Sequence, residues 1–358
     1  MKCIHCGSNN NYGDRRRNNG SCKVCQNKFA FEPYADPLKI SDRLFQRLIQ
    51  GVSDENRAFF TERQLWYEFN RYLWHKRLRG QTNILMWIFG VVGSGASLVL
   101  SSLWPLVIGG LGIGFAAIAR RGHLFRSRQP LVMFNGFRKN VDRWTQAHGE
   151  IEKLIRIGER QPNHHQREAE PDLTAYSFDR VLVTDKTEIA VMLVANNFHF
   201  ENNCAILSVE GYPEDITDIV MEMLRRNPEL KVFALHDASA EGCKLPLILR
   251  EEKWFPDQAI TVIDLGLRPQ HVKKMRVFTL IDRRQTVSTE LRELLTAGEV
   301  AWLEQGNTVE LEVLRPVSLI RAIYRGVASA TQQISDDEIG DAWIYGSVME
   351  LYLWSSFG

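Results

Sequence analysis

Between Gly80 and Ala119 the sequence contains no Asp, Glu, Lys, Arg or His. Elsewhere charge is plentiful but balanced: of 358 residues 24% are charged, and the formal net charge is +1. That balance excludes a global attraction to nucleic acid, so any such case must rest on local patches. Cysteine is scarce, with six in the chain, and the bulk reads as cytoplasmic, which argues against a disulfide framework. A cleavable signal pattern is also lacking, because Met1-Lys2-Cys3 opens straight into a polar, cysteine-bearing segment.

The charge-free stretch is too long for one membrane span of about 20 residues and suits two joined by a tight turn. The expectation is a transmembrane helical hairpin over 83–119, with Ile84 to Leu100 as one arm and Pro105 to Ala119 as the other. Glycines on both arms, among them Gly93 and Gly112, would let the backbones approach closely. Arg71, Lys76, Arg77 and Arg79 precede the hairpin, and Arg120, Arg121, Arg126 and Arg128 follow it. Basic flanks favour the cytoplasm. The expected location is therefore the inner membrane, with two spans, the membrane as partner and both termini cytoplasmic.

Four of the six cysteines form two C-x-x-C pairs, Cys3 with Cys6 and Cys22 with Cys25, separated by 15 residues. This is the ligand spacing of a structural zinc site, in which four thiolates close the tetrahedral shell and leave no open position for chemistry. Residues 1–32 thus resemble a zinc ribbon. Its loop carries Arg15, Arg16 and Arg17, candidate phosphate contacts, against the commoner outcome of a solvated face.

Residues 38–79 read as three short helices in a winged-helix-like segment. Ser41 caps the first, which carries Leu44, Phe45, Leu48 and Ile49 and stops at Gly51; Ser53 caps a second. Thr61-Glu62-Arg63-Gln64 is a capping-box pattern opening the third, whose apolar stripe is Leu65, Phe69, Tyr72 and Leu73. Within 122–157, Val141, Trp144, His148, Ile151 and Ile155 recur at three- and four-residue steps, the mark of an amphipathic juxtamembrane helix able to pair with a copy of itself. Residues 158–172 have almost no apolar content and read as a linker.

From 173 to 358 strand and helix alternate. The expected strands are Arg180–Thr184, Cys204–Val209, Lys231–Leu235 and Ala259–Asp264; the expected helices include Pro213–Arg226 and about Ala240–Glu252. Continuous apolar strands between amphipathic helices indicate an α/β domain with a mainly parallel sheet covered on both faces. Function in such sheets gathers at the carboxyl ends of the strands, where Asp185, Glu210 and Asp237 stand as a candidate magnesium site. The same residue types are also ordinary caps and turn residues.

Here the residues carry a resemblance. Val183-Thr184-Asp185-Lys186, Ile206-Leu207-Ser208-Val209-Glu210-Gly211-Tyr212-Pro213 and Ala234-Leu235-His236-Asp237-Ala238-Ser239 are similar to successive motifs of a Toprim domain, in the version of the topoisomerase VI A subunit and its meiotic break-making relatives. Glu310-Leu311-Glu312 looks like that family's closing segment, and Arg63-Gln64-Leu65-Trp66-Tyr67 is similar to its winged-helix nucleophile segment. The resemblance implies Tyr67 as candidate nucleophile and a divalent metal at the strand ends. Two departures count against that chemistry: Asp185 replaces the family's glutamate, and Ser239 replaces the second acid of its D-x-D. The reading that follows is a membrane-anchored Toprim-like protein with an altered metal site. It would act by binding a protein partner, nucleotide or nucleic acid, with genome defence as an analogy, and would assemble as a homo-oligomer. The alternatives are an active magnesium-dependent nuclease or topoisomerase-like enzyme, and an oligomerising membrane effector with the Toprim-like domain as sensor.

Overall fold

The computed structural model describes residues 1–78, 80, 129–156, 178–212, 230–250, 261–273, 275 and 277–332. The first long helix, Asp42–Val52, starts where Ser41 Oγ accepts the Leu44 amide at 3.3 Å and ends one residue beyond Gly51. The expected second helix is instead a turn, in which Asp54, Glu55 and Asn56 take successive left-handed conformations. Short polar side chains tolerate that region, and Ser53 Oγ accepts the Asn56 amide at 2.9 Å to hold it. The Thr61 capping box forms as its spacing predicts. Gln64 N donates to Thr61 Oγ1 at 3.2 Å and Thr61 N to Gln64 Oε1 at 2.9 Å, opening a helix over 62–78.

Of the expected amphipathic helix, Phe134–His148 forms. Its apolar face of Phe137, Val141 and Trp144 is buried within this chain, against Phe45, Phe69 and Phe31, and so is not left to pair with a second copy. The helix ends at Gly149, whose φ of 87° turns the backbone away. Ile155, expected on the helical stripe, lies in a strand instead: β1 (Phe60–Thr61) and β2 (Leu154–Ile155) pair in parallel.

The larger sheet is all parallel, in the order β4-β3-β5-β6: β3 is Arg180–Thr184, β4 Cys204–Ser208, β5 Lys231–Leu235 and β6 Val262–Asp264. Register aligns Thr184 with Ser208 and with Leu235, so three strand ends finish level. Side chains alternate between two cores, as the two-residue period of a strand requires. Val181, Val183, Ala205, Leu207, Val232 and Ala234 pack with Leu245 and Leu249 on one face. Leu182, Ile206, Phe233 and Leu235 face the other way, into the core that also holds Phe45, Phe69 and Phe137. The N-terminal helices and the sheet therefore share one apolar interior. After β5 the expected single helix is a short 3-10 turn, Gly242–Lys244, followed by Leu245–Ile248, with Pro246 in its first turn. The expected helix Pro213–Arg226 lies outside the described residues. A small antiparallel pair, β7 (Leu280–Ile281) with β8 (Asn307–Thr308), precedes the last described helix, Pro316–Gln332.

One further expectation is corrected. Among the described residues no helix is long and apolar enough to cross a membrane. The transmembrane hairpin, the two-span membrane partner and the inner-membrane location are accordingly set aside; residues 83–119 themselves lie outside the described residues, as does the linker 158–172.

Because Phe45 packs against Phe31, Phe137 and Trp144 with no exposed surface, Phe45→Ala should destabilise the chain by about 3–5 kcal/mol. Urea unfolding followed by fluorescence and by circular dichroism should give one coincident transition, shifted to lower urea, as a shared core requires.

Candidate functional site

Three stretches of chain meet at the carboxyl end of the sheet. Just beyond β3, Thr184 Oγ1 donates to the Lys186 carbonyl at 2.8 Å and bends the chain so that Asp185 and Lys186 turn over the strand ends. Just beyond β5, Asp237 N donates to Asp185 Oδ2 at 2.8 Å, so the two aspartates expected at the site do come together. The third stretch runs alongside: Ala238 and Val309 exchange backbone hydrogen bonds at 2.9 and 3.1 Å, which brings Glu310 and Glu312 into the same space. Leu311 N donates to Asp237 Oδ1 at 2.7 Å.

Lys186 sits at the centre. Its Nζ lies 2.7 Å from Asp237 Oδ2, 3.1 Å from Glu312 Oε2 and 3.3 Å from Glu310 Oε1. The helix over 62–78 closes the arrangement from the other side. Arg63 Nη1 donates to both oxygens of Glu310 at 2.8 and 2.9 Å, and Tyr67 Oη donates to Glu310 Oε2 at 2.8 Å. Tyr67 is 1% exposed, and its ring is stacked on Phe278. Its hydroxyl is thus covered, and burial together with the neighbouring Glu310 charge pushes its pKa well above the ordinary tyrosine value.

Four carboxylates, of Asp185, Asp237, Glu310 and Glu312, face two cations, Lys186 and Arg63. This imbalance appears in the titrations. Burial pushes Asp237 and Glu312 up to about 7; Lys186 opposes that shift, while neighbouring carboxylates add to it. Asp185 also rises through burial. Glu310 goes the other way, since Lys186, Arg63 and the Tyr67 hydroxyl outweigh its burial. Asp185 Oδ1 and Glu312 Oε1 are buried without a hydrogen-bond partner among the described residues.

Glu210 does not belong to this cluster. It is exposed, and its Oε2 accepts the Thr187 amide at 2.8 Å, at the start of the Thr187–Ala195 helix. Ser239 serves the turn after β5, its Oγ accepting the Gly242 amide at 2.9 Å. Gly242 is needed there for space, because a β-carbon would collide with the Asp237 carbonyl oxygen and crowd Asp185 Oδ2. Lys186, Glu310, Glu312 and Arg63 were not among the expected site residues. All four stand in motifs that carry the resemblance, and a second signal was available for the glutamates: Val309, Leu311 and Val313 alternate with them, and acids in so apolar a stretch must find buried partners.

Beside the cluster, the buried His236 presents Nε2 to Asp264 Oδ1 at 3.0 Å and Nδ1 to the Asp237 carbonyl at 2.8 Å. Both ring nitrogens face acceptors, so both carry protons. Burial disfavours that charge, but Asp264 outweighs it and raises the pKa well above the ordinary histidine value.

The second constellation is the cysteine cluster. Ligand atoms of Cys3, Cys6, Cys22 and Cys25 all lie within 4.8 Å of one another, with Sγ–Sγ distances of 3.6 Å for Cys3–Cys25 and Cys6–Cys22. A tetrahedral metal with bonds of about 2.3 Å needs sulfur–sulfur edges of about 3.8 Å. The two turns are built alike: Gly7 N donates to Cys3 O and Gln26 N to Cys22 O, both at 3.0 Å, with Gly7 and Gln26 each at positive φ. Asn10 Nδ2 and Asn27 Nδ2 donate to Cys22 Sγ and Cys25 Sγ, both at 3.4 Å. The four cysteines can bind a metal such as zinc. Among the described residues no other group of three or more acids, histidines or cysteines is gathered closely enough to share an ion. Of the three arginines in the loop, Arg15 is buried on Glu32 and Arg17 pairs with Asp14, leaving Arg16 exposed without an ion pair among the described residues.

Comparison with protein-family models, curated proteins and solved structures found no match.

Lys186→Ala would remove the cation in contact with Asp237, Glu310 and Glu312, and should destabilise the chain by roughly 3–5 kcal/mol in urea unfolding near neutral pH, less in mild acid. A second expectation concerns pH. Unfolded carboxyls ionise near 4, whereas Asp237 and Glu312 keep protons up to about 7 in the folded chain. The folded state therefore binds more protons across that window, and stability should fall as pH rises through it. The raised His236 has the same sign at higher pH. The melting temperature should drop from about pH 5 to about pH 7, and Glu312→Gln, which mimics the protonated acid, should flatten the decline.

Proposed function

We propose that this chain is a zinc-ribbon protein with a degenerate Toprim-like domain, one that holds nucleic acid without cutting it. The observation carrying this reading is the position of the Lys186 ammonium, in contact with Asp237, Glu310 and Glu312. An active site of the Toprim kind would offer those carboxylates to a divalent ion. Here a side chain supplies the positive charge, and Asp185 Oδ2 and Asp237 Oδ1 accept backbone amides. Tyr67 fits the same reading, because a phosphodiester has no path to a hydroxyl that is 1% exposed and bonded to Glu310. The cysteine cluster is proposed as a structural zinc site: an all-thiolate donor set of tetrahedral size suits zinc, and four ligands leave no position open. The exposed Arg16 and Lys28 beside it support a nucleic-acid ligand.

The full chain, mixed with supercoiled plasmid and magnesium or manganese, should retard the DNA in a gel and leave it supercoiled. Metal-dependent nicking that disappears in Asp237→Ala would overturn this reading in favour of a nuclease. Elemental analysis should find one zinc per chain, lost in Cys22→Ser, and a strong chelator should abolish the tertiary circular dichroism of the ribbon.

A further inference from the structure

A groove of about 790 Å³ runs where the ribbon meets the Asp42–Val52 helix, lined among others by Lys2, Tyr12, Tyr34, Lys39, Arg43 and Arg47. The side chains of Lys2, Lys39, Arg43 and Arg47 are exposed and make no ion pair among the described residues. Elsewhere on the ribbon Arg15 is matched with Glu32, and Arg17 and Lys23 with Asp14, while the exposed Arg16 and Lys28 make no ion pair among the described residues. Arg43 and Arg47 stand four residues apart on one helical face, a like-charge spacing that destabilises a helix unless something outside it supplies negative charge. No Asp or Glu lines the groove, and Glu32, which holds the Tyr34 amide, clamps Arg15.

Aromatic surface lies in the same groove. Tyr12 and Tyr34 stack on each other with centroids 4.5 Å apart, yet remain 40% and 78% exposed. They are held in place from beneath, since Arg15 donates twice to Glu32 at 2.7 Å and Glu32 Oε1 accepts the Tyr34 amide at 3.1 Å. Arg15 also donates to the Asn10 carbonyl at 2.7 Å, so the same side chain ties the ribbon to the segment that carries Tyr34.

We infer that this groove binds single-stranded nucleic acid, with phosphates along Lys2, Lys39, Arg43 and Arg47 and a base stacked on the exposed face of Tyr34. The inference rests on the nucleic-acid reading above and adds a place and a strand type to it. Unpaired cations beside a presented aromatic ring make up the two halves of single-strand recognition, charge for the backbone and a flat surface for the bases. A duplex keeps its bases stacked inside and cannot use the ring. A protein partner with an acidic face would use the cations but has no need of the stacked tyrosines.

The test is fluorescence anisotropy with the full chain and labelled dT20, U20, a 20-base-pair duplex and heparin, at several salt concentrations. The single strands should bind more tightly than the duplex, with a log–log salt slope of about −3 for four phosphate contacts. Arg43→Ala with Arg47→Ala should reduce that slope to about half. Tyr34→Ala should weaken dT20 or U20 by about 5- to 150-fold while leaving heparin, which has no bases, unchanged. A preference between dT20 and U20 identifies DNA or RNA as the natural strand. Single-strand binding unmoved by all three substitutions would overturn the groove and leave the nucleic-acid reading standing. Equal loss of heparin and single strands in Tyr34→Ala, or tighter binding of the duplex, would also overturn it. No binding to any of the nucleic acids would overturn both. These positions are exposed, so unchanged circular dichroism and zinc content would show that the variants fold.

Discussion

Lys186 carries its ammonium into a space where carboxylates from the end of β5 and from the 309–313 stretch converge, and the geometry around it follows from the need to keep that charge company. A buried ammonium with too few partners loses its proton, and buried carboxylates without cations gain one. The cluster reaches balance partly by each route, through Arg63 from the helix over 62–78 and through protons on Asp237 and Glu312. The stretches that supply these groups are far apart in sequence. Their meeting point is therefore a constraint on the whole tertiary arrangement as well as on one corner of the sheet.

The same logic extends along the helix over 62–78. Next to Tyr67 on that helix, Glu68 is held by Arg71 and by Arg315, whose Nη2 lies 2.7 Å away, and Arg71 donates to the Val313 carbonyl at 3.0 Å. Gln64, having opened the helix through its capping box, also donates to the Leu314 carbonyl at 3.2 Å. Below these polar contacts lies the shared apolar interior, and at its edge Asn196 brackets the Phe59 backbone, accepting from its N at 2.9 Å and donating to its O at 3.0 Å. Polar groups set the register between the N-terminal helices and the sheet, while apolar burial supplies most of the drive to bring them together.

What could be read in the sequence was whatever depends on near neighbours. Arg180–Thr184 and Lys231–Leu235 stand as strands at the expected residues because an unbroken apolar run between turn residues has few other uses. The Thr61 box and the spacing of Cys3, Cys6, Cys22 and Cys25 are likewise local, and both form. The site was only half legible. Asp185 and Asp237 follow from the strand-end rule, but Glu210, which obeys the same rule, is carried aside by the turn in which Ser208 pairs with Tyr212 and Gly211 takes positive φ. Lys186 as a centre, and Glu310 and Glu312 as its partners, depend on contacts across more than a hundred residues, which no local pattern encodes. Val141 and Trp144 teach a related point, since periodicity shows that a face is covered but not by what.

The common interior decides how this molecule can be dissected. Leu182, Ile206 and Phe233 on the sheet lie in the same cluster as Phe45, Phe69 and Phe137 from the N-terminal helices. A fragment starting at residue 173 would bare that side of its sheet to water and leave Glu310 without Arg63 and Tyr67. Aggregation or silence of such a truncation would report the severed surface, whatever the intact protein does.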